Sequence, residues 1–104
     1  MVTKINEQEF QATVVNEPAA VIDFSATWCG PCRMLAPVLE SISEELAGKA
    51  KFYNVDVDEN PSLAAGFAVS SIPNVVILKN GKVAGQQVGF LPGPQMKSWI
   101  ESKL

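Results

Sequence analysis

The chain has 104 residues, a length that suits one domain and leaves no room for two. Its composition, 47% hydrophobic and 18% charged, is ordinary for a globular protein and argues against disorder, collagen and coiled coil. The net charge of −3, with no basic cluster, is unfavourable for binding nucleic acid or an anionic membrane.

The first half of the chain predicts two helices on either side of a buried strand. A short helix is expected from about Glu7 to Val15. The nearly continuous apolar run from Ala19 to Ala26 predicts a central strand that is buried on both faces. A long amphipathic helix should follow from about Cys29 to Ala47, and Pro37 inside it should remove one backbone hydrogen bond and kink it.

The second half of the chain predicts shorter elements. Strands are expected from Lys51 to Val57, from Val75 to Leu78 and from Lys82 to Val88. Asn60 and Pro61 open a helix between the first two of these strands, and Pro92-Gly93-Pro94 opens a last helix. Asn60 should cap its helix. Asn80-Gly81 is a two-residue hairpin signal, so the last two strands should run antiparallel. With a strand ahead of the first helix, the order βαβαβαββα predicts an α/β fold with a mixed sheet and helices on both faces.

The pair Cys29 and Cys32 is the most informative feature of the sequence. It lies in Trp28-Cys29-Gly30-Pro31-Cys32, after the buried strand and at the start of the long helix. The free N–H groups and the positive dipole end of that helix should lower the pKa of the Cys29 thiol, which suits a nucleophile. Cys32 lies three residues further on the same helix face, where the two sulfurs can meet. Gly30-Pro31 should stiffen the ring that they close, and Trp28 should cover one side.

Other interpretations of these residues have less support. Composition alone would favour two inert buried cysteines, but the spacing at a strand-to-helix junction argues against them. Structural zinc needs four ligands, and the chain has no histidine, so a metal site would need two copies of the pair. The sequence has no nucleotide-binding fingerprint, so we expect no cofactor, neither NADPH nor flavin. Asp56, Asp58 and Glu59 lack the spacing of a calcium loop and are expected to face solvent.

We expect a cytoplasmic monomer. The first eighteen residues are too polar for the core of a signal peptide, and no apolar run approaches the ~20 residues that span a bilayer. Two cysteines are too few for a disulfide-stapled secreted scaffold. A processed organellar form stays open as an alternative.

With FSAT before WCGPC and RMLAPVLE after it, the chain resembles the thioredoxin family from about Lys4 to Lys103. The segments VIDF, DVDENP, Ser71-Ile72-Pro73, KNG and Val88-Gly89 fall where thioredoxins carry equivalents. The resemblance implies one thioredoxin domain over residues 1–104, with a mixed five-stranded sheet flanked by four helices. It also implies that a Cys29/Cys32 dithiol–disulfide cycle reduces disulfide-containing partner proteins, with a separate thioredoxin reductase as electron donor.

Asp23 is expected to be a functional acid, although in isolation it is equally an edge residue that touches solvent. It precedes Cys29 by six residues and can lie beneath the helix start, near Cys32. Burial there should raise its pKa, which suits a proton acceptor. The matching aspartate of thioredoxins is thought to help deprotonate the second cysteine. Asn54 stands where many thioredoxins carry a lysine, so the pKa of Asp23 should be higher than with a cationic partner.

The resemblance also implies a substrate surface around Cys29. The matching proline of thioredoxins follows a cis bond and faces the cysteines, so we expect Ile72-Pro73 to be cis. A substrate peptide should add along Ile72 as an extra strand. Trp28 and Val88-Gly89 should complete an apolar patch, in which Gly89 leaves a gap for the substrate backbone rather than merely ending a strand.

Two other functions stay open from the sequence alone. One is a disulfide oxidant or isomerase on the same fold, against which Gly30-Pro31 argues by resemblance. The other is a redox-capable binding module within a larger complex, and the intact cysteine pair argues that redox chemistry persists even there.

Overall fold

A computed structural model describes all 104 residues and has the predicted order of elements. The five strands are β1 (Val2–Lys4), β2 (Ala19–Ser25), β3 (Lys51–Asp56), β4 (Asn74–Lys79) and β5 (Lys82–Val88). The four α-helices are α1 (Glu7–Ala12), α2 (Gly30–Glu45), α3 (Pro61–Gly66) and α4 (Gly93–Lys103). No helix is long and apolar enough to cross a membrane.

The strands form one mixed sheet in the spatial order β1-β3-β2-β4-β5. Strand β3 runs parallel to both β1 and β2, whereas β4 runs antiparallel to β2 and to β5. The α/β class with a five-stranded mixed sheet and four helices is therefore confirmed. Strand β2 lies at the centre, which explains its nearly continuous apolar sequence.

Two hydrophobic clusters cover the two faces of the sheet. Ile22 and Phe24 of β2 belong to a cluster that includes Phe10 of α1 and residues of α3. Val21 belongs to the other cluster, with buried residues of α2 and α4. Because side chains alternate along a strand, Asp23 points to the same face as Val21, toward α2.

The first helix is shorter than predicted. It ends at Ala12 and gives way to a 3₁₀ turn over Val14–Asn16. At the junction, Thr13 donates to the carbonyl of Glu9 from both its backbone N–H, at 3.0 Å, and its hydroxyl, at 2.7 Å. Beyond Thr13 the backbone N–H groups of Asn16 and Glu17 bond three residues back, to Thr13 and Val14, so the chain tightens into the 3₁₀ turn.

Two polar residues near α3 differ from expectation. Asp56 is buried, with 6% of its surface exposed, because its carboxylate accepts hydrogen bonds from the backbone of Asp58 at 2.8 Å and of Glu59 at 3.1 Å. The expectation that Asp56 faces solvent was wrong, whereas Asp58 and Glu59 are exposed. Asn60 occupies the N-cap position without a capping bond from its side chain, which instead accepts from the backbone of Glu7 at 2.9 Å.

The hairpin between β4 and β5 is confirmed at Asn80-Gly81. Both residues have positive φ, 52° and 80°, as the tight turn requires. A side chain at Gly81 would lie 2.9 Å from the carbonyl oxygen of Val15, so both backbone conformation and space favour glycine.

Candidate active site

Cys29 and Cys32 meet at the N-terminus of α2, where they form a disulfide with a Cα–Cα distance of 5.2 Å. Cys29 is the N-cap of the helix and has extended backbone geometry. Its sulfur accepts a hydrogen bond from the backbone N–H of Cys32 at 3.2 Å. The first cysteine therefore occupies the position at which helix N–H groups and the helix dipole favour negative charge.

The disulfide is buried in a small cluster of its own. The exposed fractions of Cys29 and Cys32 are 5% and 4%, and the pair packs with Ala26, Val57 and Ile72. Between the cysteines, Pro31 lies in the first turn of α2, where proline is tolerated. A Cβ on Gly30 would meet no atom within 4 Å, so close packing does not require glycine there.

Trp28 lies on the surface beside this cluster. Its side chain is 68% exposed, and its indole N–H donates to a carboxylate oxygen of Asp58 at 2.7 Å. Sequence reasoning missed Asp58 as a partner of Trp28, and no local signal points to it because the residues are thirty positions apart. The guanidinium of Arg33, just after the pair in sequence, donates to the carbonyl of Thr27 at 2.9 Å.

Asp23 is a buried carboxyl with one satisfied oxygen. Only 3% of the residue is exposed, and Asn54 donates from its side-chain amide to Oδ2 at 3.3 Å. The other oxygen, Oδ1, has no hydrogen-bond partner. Burial raises the pKa of Asp23 to about 6, and the Asn54 hydrogen bond acts in the opposite direction. Asp23 is therefore a buried acid, not an edge residue that touches solvent.

A cavity of about 420 Å³ connects Asp23 with α2. Its lining includes Asp23 and Asn54 from the sheet together with Ala36 and Pro37 from the helix. These helical residues lie four and five positions after Cys32, so Asp23 faces the second turn of the helix that carries the cysteines. Asp23 thus shares this cavity with the helix of the cysteine pair, although neither cysteine lines it.

The loop before β4 faces the end of β5. The Ile72-Pro73 bond is cis, as the family resemblance implies. Pro73 is buried, and its carbonyl accepts a hydrogen bond from the backbone of Gly89 at 2.8 Å. Gly89 has a φ of 93°, and a Cβ built there would meet no atom within 4 Å. Gly89 thus has open space beside it, and Val88 next to it is exposed.

The thioredoxin family model matches residues 1–102 of the chain. Thioredoxin from Haemophilus influenzae is 43% identical over 104 residues, which cover 99% of this chain and 97% of that protein. Thioredoxin 2 from Chlorobaculum tepidum is 46% identical over 99 residues, with 94% of this chain and 87% of that protein covered. A crystal structure of chloroplastic thioredoxin z superimposes with a TM-score of 0.87 at 36% identity, covering 98% of this chain and 93% of that chain.

Proposed function

Since the chain belongs to the thioredoxin family, we propose that Cys29 is the attacking cysteine and Cys32 the resolving cysteine of its reaction. The reaction class follows from the family and the bonded pair: the protein is a thiol–disulfide oxidoreductase that reduces disulfides in partner proteins and is recycled by a separate reductase. The observation that carries the two roles is the N-cap position of Cys29, whose sulfur accepts the N–H of Cys32.

The cycle begins with the dithiol form of the pair. A Cys29 thiolate gains the hydrogen bond from Cys32 N–H and the positive end of the α2 dipole. It attacks one sulfur of a partner disulfide, and the other sulfur leaves as a thiolate. The Cys32 thiolate then attacks Sγ of Cys29, which forms the internal disulfide and releases the second partner sulfur. Two electrons pass from the pair to the partner.

Asp23 accepts the proton of Cys32 in this proposal. A buried carboxyl with a pKa of about 6 is largely ionised at neutral pH and still basic enough to take a proton. Its Oδ1 has no other hydrogen-bond partner, and its cavity reaches the helix that carries Cys32. The charge, the free oxygen and the placement support the same role.

The partner peptide lies along Ile72 in this proposal. Neither the backbone N–H nor the carbonyl of Ile72 has a hydrogen-bond partner within the chain, so both are available to an added strand. Trp28 and Val88 supply exposed apolar surface, and the open space at Gly89 admits the partner backbone. Pro73 is buried and acts by shaping the loop and by fixing Gly89 through its carbonyl.

We place the protein in the cytoplasm as a monomer with one domain over residues 1–104. Its net charge of −3 supports partners that are proteins rather than nucleic acids or membranes. In this proposal Gly30 and Pro31 tune the reduction potential of the disulfide, because they form the turn that joins the two cysteines at the start of α2. The proposed cycle requires no cofactor bound to this chain.

The cysteine roles are tested by trapping. A Cys32→Ser variant should accumulate mixed disulfides with protein substrates that dithiothreitol releases, and the matched Cys29→Ser variant should accumulate none. The opposite pattern would reverse the two roles. The absence of trapped complexes from both variants would contradict both roles.

The reduction potential of the pair tests the direction of the reaction. A value within or below roughly −220 to −320 mV, the cytosolic glutathione range, supports the reductase. A value near −120 to −180 mV would instead indicate a disulfide oxidant or isomerase.

A further inference from the structure

One row of residues crosses three neighbouring strands and consists of Lys4, Asn54 and Asp23. Lys4 of β1 is in register with Asn54 of β3, and Asn54 is in register with Asp23 of β2. All three residues line the cavity of about 420 Å³ beneath α2. The row therefore joins an exposed edge strand to the buried carboxyl.

The carboxyl at the inner end of this row lacks a partner for its charge. Asn54 satisfies Oδ2, but Oδ1 of Asp23 has no donor, although a buried carboxylate is unfavourable unless it is paired. A cation brought to Oδ1 therefore gains an acceptor that no other donor occupies.

Lys4 is the one cation that faces the cavity. Its other charged lining group is Glu40 of α2, whose carboxylate accepts a hydrogen bond from the backbone N–H of Val2 at 2.7 Å. The residues in register with Asp23 on the neighbouring strands are neutral, namely Asn54 on β3 and Val75 on β4.

The present partner of Lys4 holds it weakly. The ammonium lies 3.1 Å from Glu59, and both side chains are largely exposed, so solvent screens the pair. Two strand spacings, about 9.5 Å, separate the backbones of Lys4 and Asp23. An extended lysine side chain that turns into the cavity spans most of that distance, and the carboxyl spans the rest.

We propose that Lys4 is a positioning residue for the resolving step, because its ammonium exchanges between Glu59 at the surface and Oδ1 of Asp23 in the cavity. In the cavity it stabilises the ionised carboxylate and keeps it ready for the proton of Cys32. Once that proton has moved from sulfur to carboxylate, the neutral acid no longer attracts Lys4, which returns to Glu59. The proton then leaves Asp23 for water at the mouth of the cavity.

The experiment follows the titration of the Asp23 carboxyl by ¹³C NMR in the full-length protein. Lys4→Met should raise the pKa of Asp23 by about half a unit, because the carboxylate loses its cation. Glu59→Gln should lower it by a similar amount, because Lys4 loses its competing partner. Lys4→Arg should restore the original titration. Lys49→Met, which removes an exposed lysine two residues before the opposite end of β3, should leave it unchanged.

This inference rests on the proposed role of Asp23, and the two fail separately. The rate at which a mixed disulfide resolves is measured against pH for the same variants and for Asp23→Asn. If Asp23→Asn changes that profile but neither Lys4→Met nor Glu59→Gln moves the titration of Asp23, the role of Lys4 is overturned and the proposed function stands. If both variants move the titration but Asp23→Asn leaves the profile unchanged, the proton-acceptor role is overturned.

Discussion

The side-chain amide of Asn54 donates to Oδ2 of Asp23 at 3.3 Å, from the neighbouring position of a parallel strand. The same amide donates to the hydroxyl of Ser25 at 2.7 Å, so Asn54 is shared between two residues of β2. A neutral amide stabilises the carboxylate less than a cation would. The pKa of Asp23, about 6, therefore reflects burial that this hydrogen bond only partly offsets.

Replacing Asp23 with asparagine should stabilise the fold at neutral pH. The pKa of Asp23 is about 6 in the folded chain against 3.8 for an unperturbed carboxyl, so between these values the folded state binds the proton and the unfolded state does not. Stability therefore falls as the pH rises from about 4 to 6 and stays low above it. Two pH units correspond to about 3 kcal/mol, which Asp23→Asn should largely recover.

Urea unfolding at pH 4 and at pH 7 measures this effect. The wild-type protein should lose stability relative to Asp23→Asn between the two conditions. If the two proteins differed in their free energy of unfolding by the same amount at both pH values, burial would not raise the pKa of Asp23.

Removing the amide of Asn54 should raise the pKa of Asp23 further. In Asn54→Ala the carboxyl loses the hydrogen bond that favours its charged form, so the pH profile of mixed-disulfide resolution should move upward by about half a unit. In an Asp23→Asn background the same substitution should not move the profile. Gln86→Ala serves as the control, because it removes an amide that donates to Asn74 at 3.1 Å, on the face of the sheet opposite to Asp23. An equal shift in the control would contradict the assignment.

Gly89→Ala should separate protein substrates from small disulfides. A Cβ at this position meets no atom of the chain, so the added methyl group occupies space that the proposal assigns to the partner backbone. Reduction of a protein disulfide should slow several-fold more than reduction of a small aromatic disulfide. The φ of 93° also makes alanine unfavourable there by about 1–2 kcal/mol.

A matched alanine substitution controls for the added methyl group. Gly66→Ala adds a methyl group in equally open space but at ordinary φ, and it should preserve both rates. If Gly89→Ala slowed the two substrates equally, Gly89 would have no part in admitting the partner.

Tyr53→Phe should destabilise the fold through Glu17. The hydroxyl of Tyr53 donates to Oε1 of Glu17, whose Oε2 is buried without a partner. Burial and Glu17 both raise the pKa of Tyr53, so the hydroxyl stays a donor well above neutral pH. Its removal leaves the carboxylate with less compensation and should cost about 1–3 kcal/mol in urea unfolding. A Glu17→Gln background should reduce that cost, and an undiminished cost would point to packing instead.

The parts of the fold that follow from local patterns could be predicted from the sequence. The cysteine pair at a helix start depends on neighbours within a few positions, and so does the Asn80-Gly81 turn. The buried strand before the pair needs only an apolar run. Each of these features has one dominant local cause, so a short stretch of sequence suffices.

The contacts that join distant segments could not be predicted. The bond from Trp28 to Asp58 spans thirty residues, and no spacing rule relates them. Asp56 reads as a surface acid, yet the backbone N–H groups that follow it satisfy its carboxylate and allow it to be buried. The cavity that Lys4 and Asp23 share exists only once β1 has joined the sheet beside β3. Such features depend on strand order, which hydrophobic periodicity does not encode.

Ala68→Gly should stabilise the protein, because Ala68 is a non-glycine residue with a φ of 56° just after α3. An alanine in this left-handed region is unfavourable by about 1–2 kcal/mol, and glycine gives back about 0.5–1 kcal/mol through its greater freedom in the unfolded chain. The net gain in the free energy of unfolding should be about 0.5–1 kcal/mol. Ala65→Gly, at an exposed position within α3, should instead destabilise by about 1 kcal/mol. If urea unfolding shows that Ala68→Gly stabilises the protein while Ala65→Gly destabilises it, the gain comes from backbone strain at Ala68. Destabilisation by both variants would show that the left-handed conformation of Ala68 costs little.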